Sequence, residues 1–478
     1  MRRDLAVSCI CLLSGLASAQ PLGGEFRVNS TTTGSQYAPR VAVAPGGRFM
    51  AVWRDRAGGD PSKAEIHGRL FDPTGAPIGA DFQVATYTTG SFGTYPPTRP
   101  DIASDGAGNF VVVWDRSRSE FPNTAQVFAR RFDMFANPLG GEFMVSSDTS
   151  TFQYEATTSA DGVGNFVVAW TGADFSGEGI FASRFAYSGD PQGGIFRVNT
   201  ATTGDQRSPS VAMERGSGEF MVVWRDPADG NLGGIIGQHY VGNGAPDGGA
   251  FLVNTTTTGD DSLPRVSAAE GGFAVVWYRM VTSPGNDFVF ARRWGDLENG
   301  FLGPEVQVAS GLGFGAPGKL GPMVAADRDG DFVVAWSRTG YGGLYPTGQL
   351  VFARRYSVTG AVIDDGFIVN TQTTNDNAYP AVAADLGSGK FVVVWQSYRS
   401  SSTKNDVFAQ RFDQIAHFGD ANGDGQLDVG DVFYLINFLF AGGPGPIGPP
   451  DANGDGHVDI ADVFYLINFL FASGPPPL

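Results

Sequence analysis

The sequence predicts an all-β seven-bladed β-propeller with four strands per blade, followed by a small all-α module. Three observations carry this prediction. A tryptophan ends an apolar run seven times, at Trp53, Trp114, Trp170, Trp224, Trp277, Trp336 and Trp395, at intervals of 61, 56, 54, 53, 59 and 59 residues. Each recurrence holds four short strand-like segments and no helical stretch between them. At Gly419 the composition changes abruptly: from there on the chain has no Lys, Arg or Glu but eight Asp.

The tryptophan run is the clearest element. Phe110–Trp114 and Phe391–Trp395 read Phe-Val-Val-Val-Trp, a near-continuous apolar strand of the kind covered on both faces. Before it lies a shorter strand, such as 39–43 or 380–384, joined through an Asp- and Gly-rich turn like Asp105-Gly106-Ala107-Gly108-Asn109. After it comes a third strand, Val127–Asp133 or Val351–Tyr356, and then a fourth of the type Phe196-Arg197-Val198-Asn199. A sheet of this size has two faces to cover, and its neighbours in a ring cover them. The last repeat lacks its fourth strand, while the chain opens with a spare Phe26-Arg27-Val28-Asn29. The N-terminal strand is therefore expected to complete the seventh blade and close the ring.

The chain has 478 residues with 49 acidic and 32 basic side chains, a formal charge of −17. At 42% apolar residues it can build a core, and its 68 Gly and 29 Pro read as turn punctuation without a collagen period. Net acidity argues against nucleic acid as a partner. Arg2 and Arg3, the apolar run from Leu5 to Ala17 and the small residues Ala17-Ser18-Ala19 read as a signal peptide, residues 1–19. The expected localisation is secreted, either extracellular or associated with a cell surface, with no transmembrane segment in the mature chain. Cys9 and Cys11 both lie in that leader, which excludes thiol nucleophiles and thiolate metal sites from the rest. The domain reading is signal peptide 1–19, propeller 20–413, linker 414–419 and C-terminal module 420–478.

That module contains one twelve-residue pattern twice, offset by 31 residues. The first copy places Asp420, Asn422, Asp424, Gln426, Asp428 and Asp431 at loop positions 1, 3, 5, 7, 9 and 12; the second places Asp451, Asn453, Asp455, His457, Asp459 and Asp462 there. Position 6 is glycine in both, and position 7 offers a backbone carbonyl. Alternating oxygens in a tight loop converge on one hard cation, so two Ca2+ ions are expected, with folding coupled to metal. A helix follows each loop, over 432–440 and 463–471. Both read Val-Phe-Tyr-Leu-Ile-Asn-Phe-Leu-Phe, apolar nearly all round, and the surplus apolar face is expected to dock on the propeller or on a partner.

This tandem resembles a dockerin module, a duplicated calcium loop and helix found on secreted bacterial proteins that often degrade polysaccharides. The resemblance implies the twelve ligand positions above and a cohesin-like or cell-surface protein as partner. Dockerins of the cellulosome type usually present hydroxyls at loop positions 10 and 11, where this chain has Val429-Gly430 and Ile460-Ala461. The resemblance therefore carries calcium binding further than it carries cohesin recognition. The seven repeats in turn resemble secreted bacterial propeller proteins.

No catalytic residue is assigned from the sequence. Asp105, Asp161, Asp327 and Asp385 recur at the turn before the tryptophan strand and read as turn caps. Glu120, Glu178 and Glu298 lie in variable stretches with nothing to pair them, and no zinc-hydrolase, serine-hydrolase or phosphate-loop motif occurs. The third-strand pairs Arg130-Arg131, Arg292-Arg293 and Arg354-Arg355 are expected to pair with the turn aspartates or to lie along the rim. Ligand contacts are expected in the insertions at 58–61, 117–123 and 341–347. The resulting reading is a secreted calcium-binding protein whose propeller binds a protein or glycan and whose C-terminal module tethers it. The alternative is an extracellular polysaccharide-degrading glycoside hydrolase with the same appendage, which would need a carboxylate pair.

Overall fold

The computed structural model describes residues 19, 21–56, 63–88, 99–117, 124–147, 150–174, 176–227, 233–256, 259–269, 271–281, 287–295, 299–311, 321–339, 348–364, 366–373, 376–398, 404–413, 419–422, 427–446, 450–453, 457–472, 474 and 477. Apart from Ala19, the expected leader falls outside them. So do 414–418 of the linker, two of the three insertions and all but Ser117 of the third.

Seven four-stranded antiparallel sheets form the bulk of the chain. In blade 1 the strands are Gln36–Val43, Phe49–Asp55, Lys63–Phe71 and Pro77–Thr88, and the following blades repeat this order. Blade 7 takes Asn377–Ala384, Phe391–Tyr398 and Asn405–Phe412 from the end of the array and Phe26–Arg27 from its beginning. The ring is thus closed as expected, with Phe26 opposite Ala409 and Arg27 opposite Phe408. Val28 N donates to Val407 O at 2.8 Å, and Leu22 N to Arg411 O at 2.8 Å.

The core lies between the blades. One apolar cluster joins Met50 and Val52 of blade 1 to Phe110 and Trp114 of blade 2, and equivalent clusters fill the other gaps. The gap between blades 7 and 1 holds Val392, Val394, Val28, Phe49 and Trp53. Fully burying each such Val or Phe contributes about 1.5–3 kcal/mol. Trp114, Trp170, Trp277, Trp336 and Trp395 also stack on a third-strand phenylalanine, as Trp114 does on Phe128 with centroids 6.3 Å apart.

The asparagine that ends the fourth strand has a defined task. Asn199 Oδ1 accepts from Ile180 N, Asn254 Oδ1 from Ile235 N and Asn370 Oδ1 from Val351 N, each at 2.8 Å. The strand ends after two or more residues, and the side chain carries its ladder one step further. Asn29 does the same for blade 7, accepting from Val407 N at 2.8 Å and donating to Asp406 Oδ1 at 2.7 Å.

The third-strand arginines divide: Arg355 Nε pairs with Asp364 Oδ2 at 2.7 Å and Arg293 feels Asp331 and the turn aspartate Asp327, whereas Arg130, Arg131, Arg292 and Arg354 bond to backbone carbonyls. The first of each pair reaches back to the preceding blade: Arg130 Nη1 donates to Val84 O at 2.9 Å, Arg292 Nη1 to Val253 O at 2.7 Å and Arg354 Nη1 to Val308 O at 3.2 Å. Arg131 reaches forward to Tyr187 O of the next blade. Val84 and Val308 sit at register shifts of their fourth strands and Val253 lies just past the end of its own, so their carbonyls fall outside the regular ladder and a long cationic side chain satisfies them. The turn aspartates are occupied locally, as expected. Asp105 Oδ1 accepts from Ala107 N and Asn109 N, and Asp161 Oδ1 from Val163 N and Asn165 N.

Two α-helices form the C-terminal module: α1, Val429–Ala441, and α2, Ile460–Ala472. Each starts three residues before the expected position. The reason is capping: Asp428 caps α1, and Asp431 returns a bond to the backbone of Asp428 in a capping box. Leu435, Leu466, Ala421 and Ala452 bury a small core between the two units. Among the described residues, no helix is long and apolar enough to cross a membrane.

Candidate functional site

The first strand of every blade faces a central cavity of about 810 Å³. Five of these strands carry a bulge with a left-handed non-glycine residue: Ala38, Glu155, Ser208, Leu263 and Tyr379. Such a backbone costs about 1–3 kcal/mol at each site and re-aims the residues around it. Two residues beyond the bulge lies a position that always pairs with the residue before the tryptophan. Around the ring it is Arg40, Asp101, Thr157, Ser210, Arg265, Met323 and Ala381. All seven line the cavity. The repeat thus places a different side chain from each blade at one level of the channel.

Several of these groups stitch neighbouring blades. Asp101 Oδ2 accepts from Thr157 Oγ1 at 2.8 Å and Thr158 N at 3.0 Å, and its Oδ1 lies 3.7 Å from Arg40 Nε. Glu155 Oε2 accepts from Ser208 N at 2.9 Å and Thr171 Oγ1 at 3.3 Å. Ser210 Oγ accepts from Val266 N at 3.2 Å. Burial draws the Arg40 guanidinium down to about 9, and Arg265 and Arg99 add to this while Asp101 opposes it. Arg265 is lowered for the same reasons, burial first and then Arg99. Arg99 lies over the ring of Tyr379, 5.6 Å from its centroid.

At the far end the turns of blades 2, 3 and 4 lean on one another. Gly106 N donates to Gly162 O at 3.2 Å and Gly162 N to Arg215 O at 2.9 Å. A Cβ on Gly106 would stand 2.3 Å from Gly162 O, so only glycine permits this approach. Arg215 Nη2 reaches Ser104 Oγ at 3.0 Å. The bulge end is different: Gln36 at the start of the first strand pairs with Asp55 at the end of the second, so the second-to-third strand connections leave from there.

Of the carboxylates singled out in the sequence, Glu178 accepts from the hydroxyl of Tyr154 at 2.7 Å and pairs with Arg207. Burial, followed by that bond, holds the Tyr154 phenol above its ordinary range. Glu120 and Glu298 lie outside the described residues, as do Asp424, Gln426 and Asp455 of the C-terminal loops.

The remaining loop residues collect at the helix starts. Asp420, Asp431 and Asp462 are fully buried. Asp431 accepts from Asn422 N at 3.2 Å and Asp428 N at 3.0 Å; Asp462 accepts from Ala452 N, Asn453 N and Asp459 N at 2.9, 3.2 and 2.9 Å. Burial raises the Asp462 carboxyl, the three amides pull it down and Asp451 raises it further; the net shift is upward. The segment carries no cationic side chain to offset these carboxylates. Among the described residues no three acidic or histidine side chains are grouped as a metal site, and three of the expected ligand positions lie outside those residues.

The two helices leave a duplicated face uncovered. Phe433 and Phe464 are 65% and 63% exposed, and Phe440 and Phe471 are 65% and 68% exposed. These rings do not dock on the propeller.

Residues 418–471 match the family model of the dockerin type I domain. No curated protein matches the chain. Among solved structures, the chain is similar to a protein of unknown function from Dyadobacter fermentans, with 10% identity, a TM-score of 0.46, and 82% of this chain and 98% of the other covered. It is likewise similar to an α-L-arabinofuranosidase from Fusarium graminearum, with 11% identity, a TM-score of 0.45, and coverage of 82% and 98%. A third likeness is to the β-propeller domain of the trilobed protease from Pyrococcus furiosus, with 10% identity, a TM-score of 0.44, and coverage of 81% and 97%.

Proposed function

We propose that this is an exported docking protein: the propeller recognises a ligand at its channel, and the C-terminal module, folded around two Ca2+ ions, fastens the chain to a protein partner. The partner is a cohesin-like or other cell-surface protein. The observation that carries this reading is the duplicated apolar face. Phe433 with Phe440 and Phe464 with Phe471 repeat one surface at matched exposure, rooted on two loops of matching ligand pattern. Ca2+ would be held by Asp420, Asn422, Asp424, Asp428 and Asp431 and by Asp451, Asn453, Asp455, Asp459 and Asp462. Gln426 and His457 would supply backbone carbonyls. The metal neutralises carboxylates that otherwise repel, and so fixes the helix starts.

The test is binding of the full chain to an immobilised cohesin domain, with Ca2+ and with EGTA. Calcium-dependent capture that is weakened at least tenfold by Phe433→Ser with Phe464→Ser supports the reading. Capture unchanged by EGTA overturns it.

The glycoside-hydrolase reading has one observation in its favour: Asp101 and Glu155 line the same cavity. Both, however, accept bonds from backbone amides of the neighbouring blade, Asp101 from Thr158 N and Glu155 from Ser208 N, a structural employment. Reducing-end release from a polysaccharide, abolished by Asp101→Asn, would reverse this preference.

A further inference from the structure

Arg40 and Arg265 hold the same register position in blades 1 and 5, each opposite the residue before its tryptophan. On the short way round the ring only Met323 of blade 6 and Ala381 of blade 7 stand between them. The longer way round carries Asp101 and the hydroxyls of Thr157 and Ser210. At this level two cations border an apolar wall and face Asp101 and two hydroxyls, and Arg99 of the same cavity acts on both cations.

Each guanidinium offers five N–H donors. Arg40 Nη1 gives one to Pro39 O at 2.9 Å, and Arg265 Nη1 gives one to Pro264 O at 2.8 Å. Arg40 has Asp101 at 3.7 Å, long for a charge-assisted bond, and no carboxylate among the described residues comes within ion-pair distance of Arg265. The carboxylates sharing this end of the cavity are Asp101, Glu155 and Asp115. The first two are already engaged by neutral donors. Both guanidiniums line the cavity. Burial lowers both, with Arg265 and Arg99 adding to it at Arg40 and Arg99 at Arg265, while Asp101 opposes it at both and Glu155 at Arg265. A further anion between them would act in the same sense as these carboxylates.

We propose that the bulge end of the channel binds a carboxylated sugar, its carboxylate held between Arg40 and Arg265 and its apolar ring face against Met323, Ala381 and Leu263. Ser210 Oγ accepts from Val266 N and keeps its proton to donate to a sugar oxygen. A cavity of about 810 Å³ is of the size that takes a small ligand or the end of a chain. Guanidiniums suit the planar, two-oxygen geometry of a carboxylate. This inference rests on the propeller being the ligand-binding unit and adds the class of ligand.

The experiment is calorimetric titration of the full chain with oligogalacturonate, with a neutral galactose oligomer of equal length, and with an acidic peptide. The same titrations follow with Arg40→Gln and Arg265→Gln, and thermal melting checks that both variants fold. The expected result is saturable binding of oligogalacturonate alone, weakened at least tenfold by either substitution and by raising salt. The proposal is overturned if oligogalacturonate does not bind, if the neutral oligomer binds as well, if the peptide binds equally, or if both folded variants bind like the parent. Neutral-oligomer binding insensitive to the arginines would leave the propeller a ligand-binding unit and remove only the carboxylate assignment.

Discussion

Val28→Asp tests ring closure at its narrowest point. Val28 has no exposed surface and lies in the cluster between blades 7 and 1. The substitution loses about 2 kcal/mol of apolar burial. It also places a polar group without a partner in that cluster, at a cost of about 1–3 kcal/mol. The sum is about 4 kcal/mol. For cooperative unfolding of about 390 residues, an entropy of about 2.1 cal/mol/K per residue converts this to a fall in Tm of about 5 °C. The assay is thermal unfolding by near-UV circular dichroism, with hydrogen exchange followed by mass spectrometry. Protection should fall in Asn405–Phe412, the strand that Phe26–Arg27 covers, while blade 3 keeps its protection. Arg27→Asp, at an exposed neighbour, is the control and should leave Tm within 1 °C. Deleting 21–33 should exceed the effect of Val28→Asp. A melting curve unchanged by the substitution and by the deletion would refute closure by the N-terminal strand.

Three further outcomes are expected. Asn199→Ala strands the buried Ile180 N–H and should cost about 2 kcal/mol, read from urea unfolding. Arg279→Met leaves Asp261 buried without its two bonds from Arg279, at 2.7 and 2.9 Å, and should cost about 3–5 kcal/mol at pH 8. Burial already pushes Asp261 up to about 6 against the pull of Arg279. A raised carboxyl favours the folded state as it is protonated, so the loss should shrink as the pH falls from 8 to 5, and a loss that grew on acidification would contradict the assignment. Asp431→Ala with Asp462→Ala should abolish the calcium-dependent helical signal in far-UV circular dichroism while leaving the propeller melting unchanged.

The blade plan was legible because it is written in what repeats: the tryptophan strand, the Asp-Gly turn and the Phe-x-Val-Asn strand each recur at fixed offsets. The same repetition hid the channel. Pro39, Pro100, Pro209, Pro264, Pro322 and Pro380 precede the lining position in six blades, and that position is the one where the copies diverge. Aligning the strands on that proline and reading the next residue would have brought Arg40 and Arg265 forward. The third-strand arginines misled for a related reason. Arg130, Arg292 and Arg354 bond to backbone carbonyls of the adjacent blade, and a carbonyl leaves no mark in a sequence. In the C-terminal module the duplicated spacing pointed to the segment that matches the dockerin type I model, residues 418–471. The helix starts were misplaced because Asp428 caps α1 from a position assigned only to metal.

Phe26 meets Ala409 across nearly the whole length of the array. A ribosome delivers the first of these long before the second. Until the final blade emerges, the earliest segment has nowhere to bind, and the outer edge of every unfinished arc stays open to other chains. Completion is therefore a single late event, and anything that delays the last sixty residues of the ring lengthens the time in which neighbouring molecules can exchange strands.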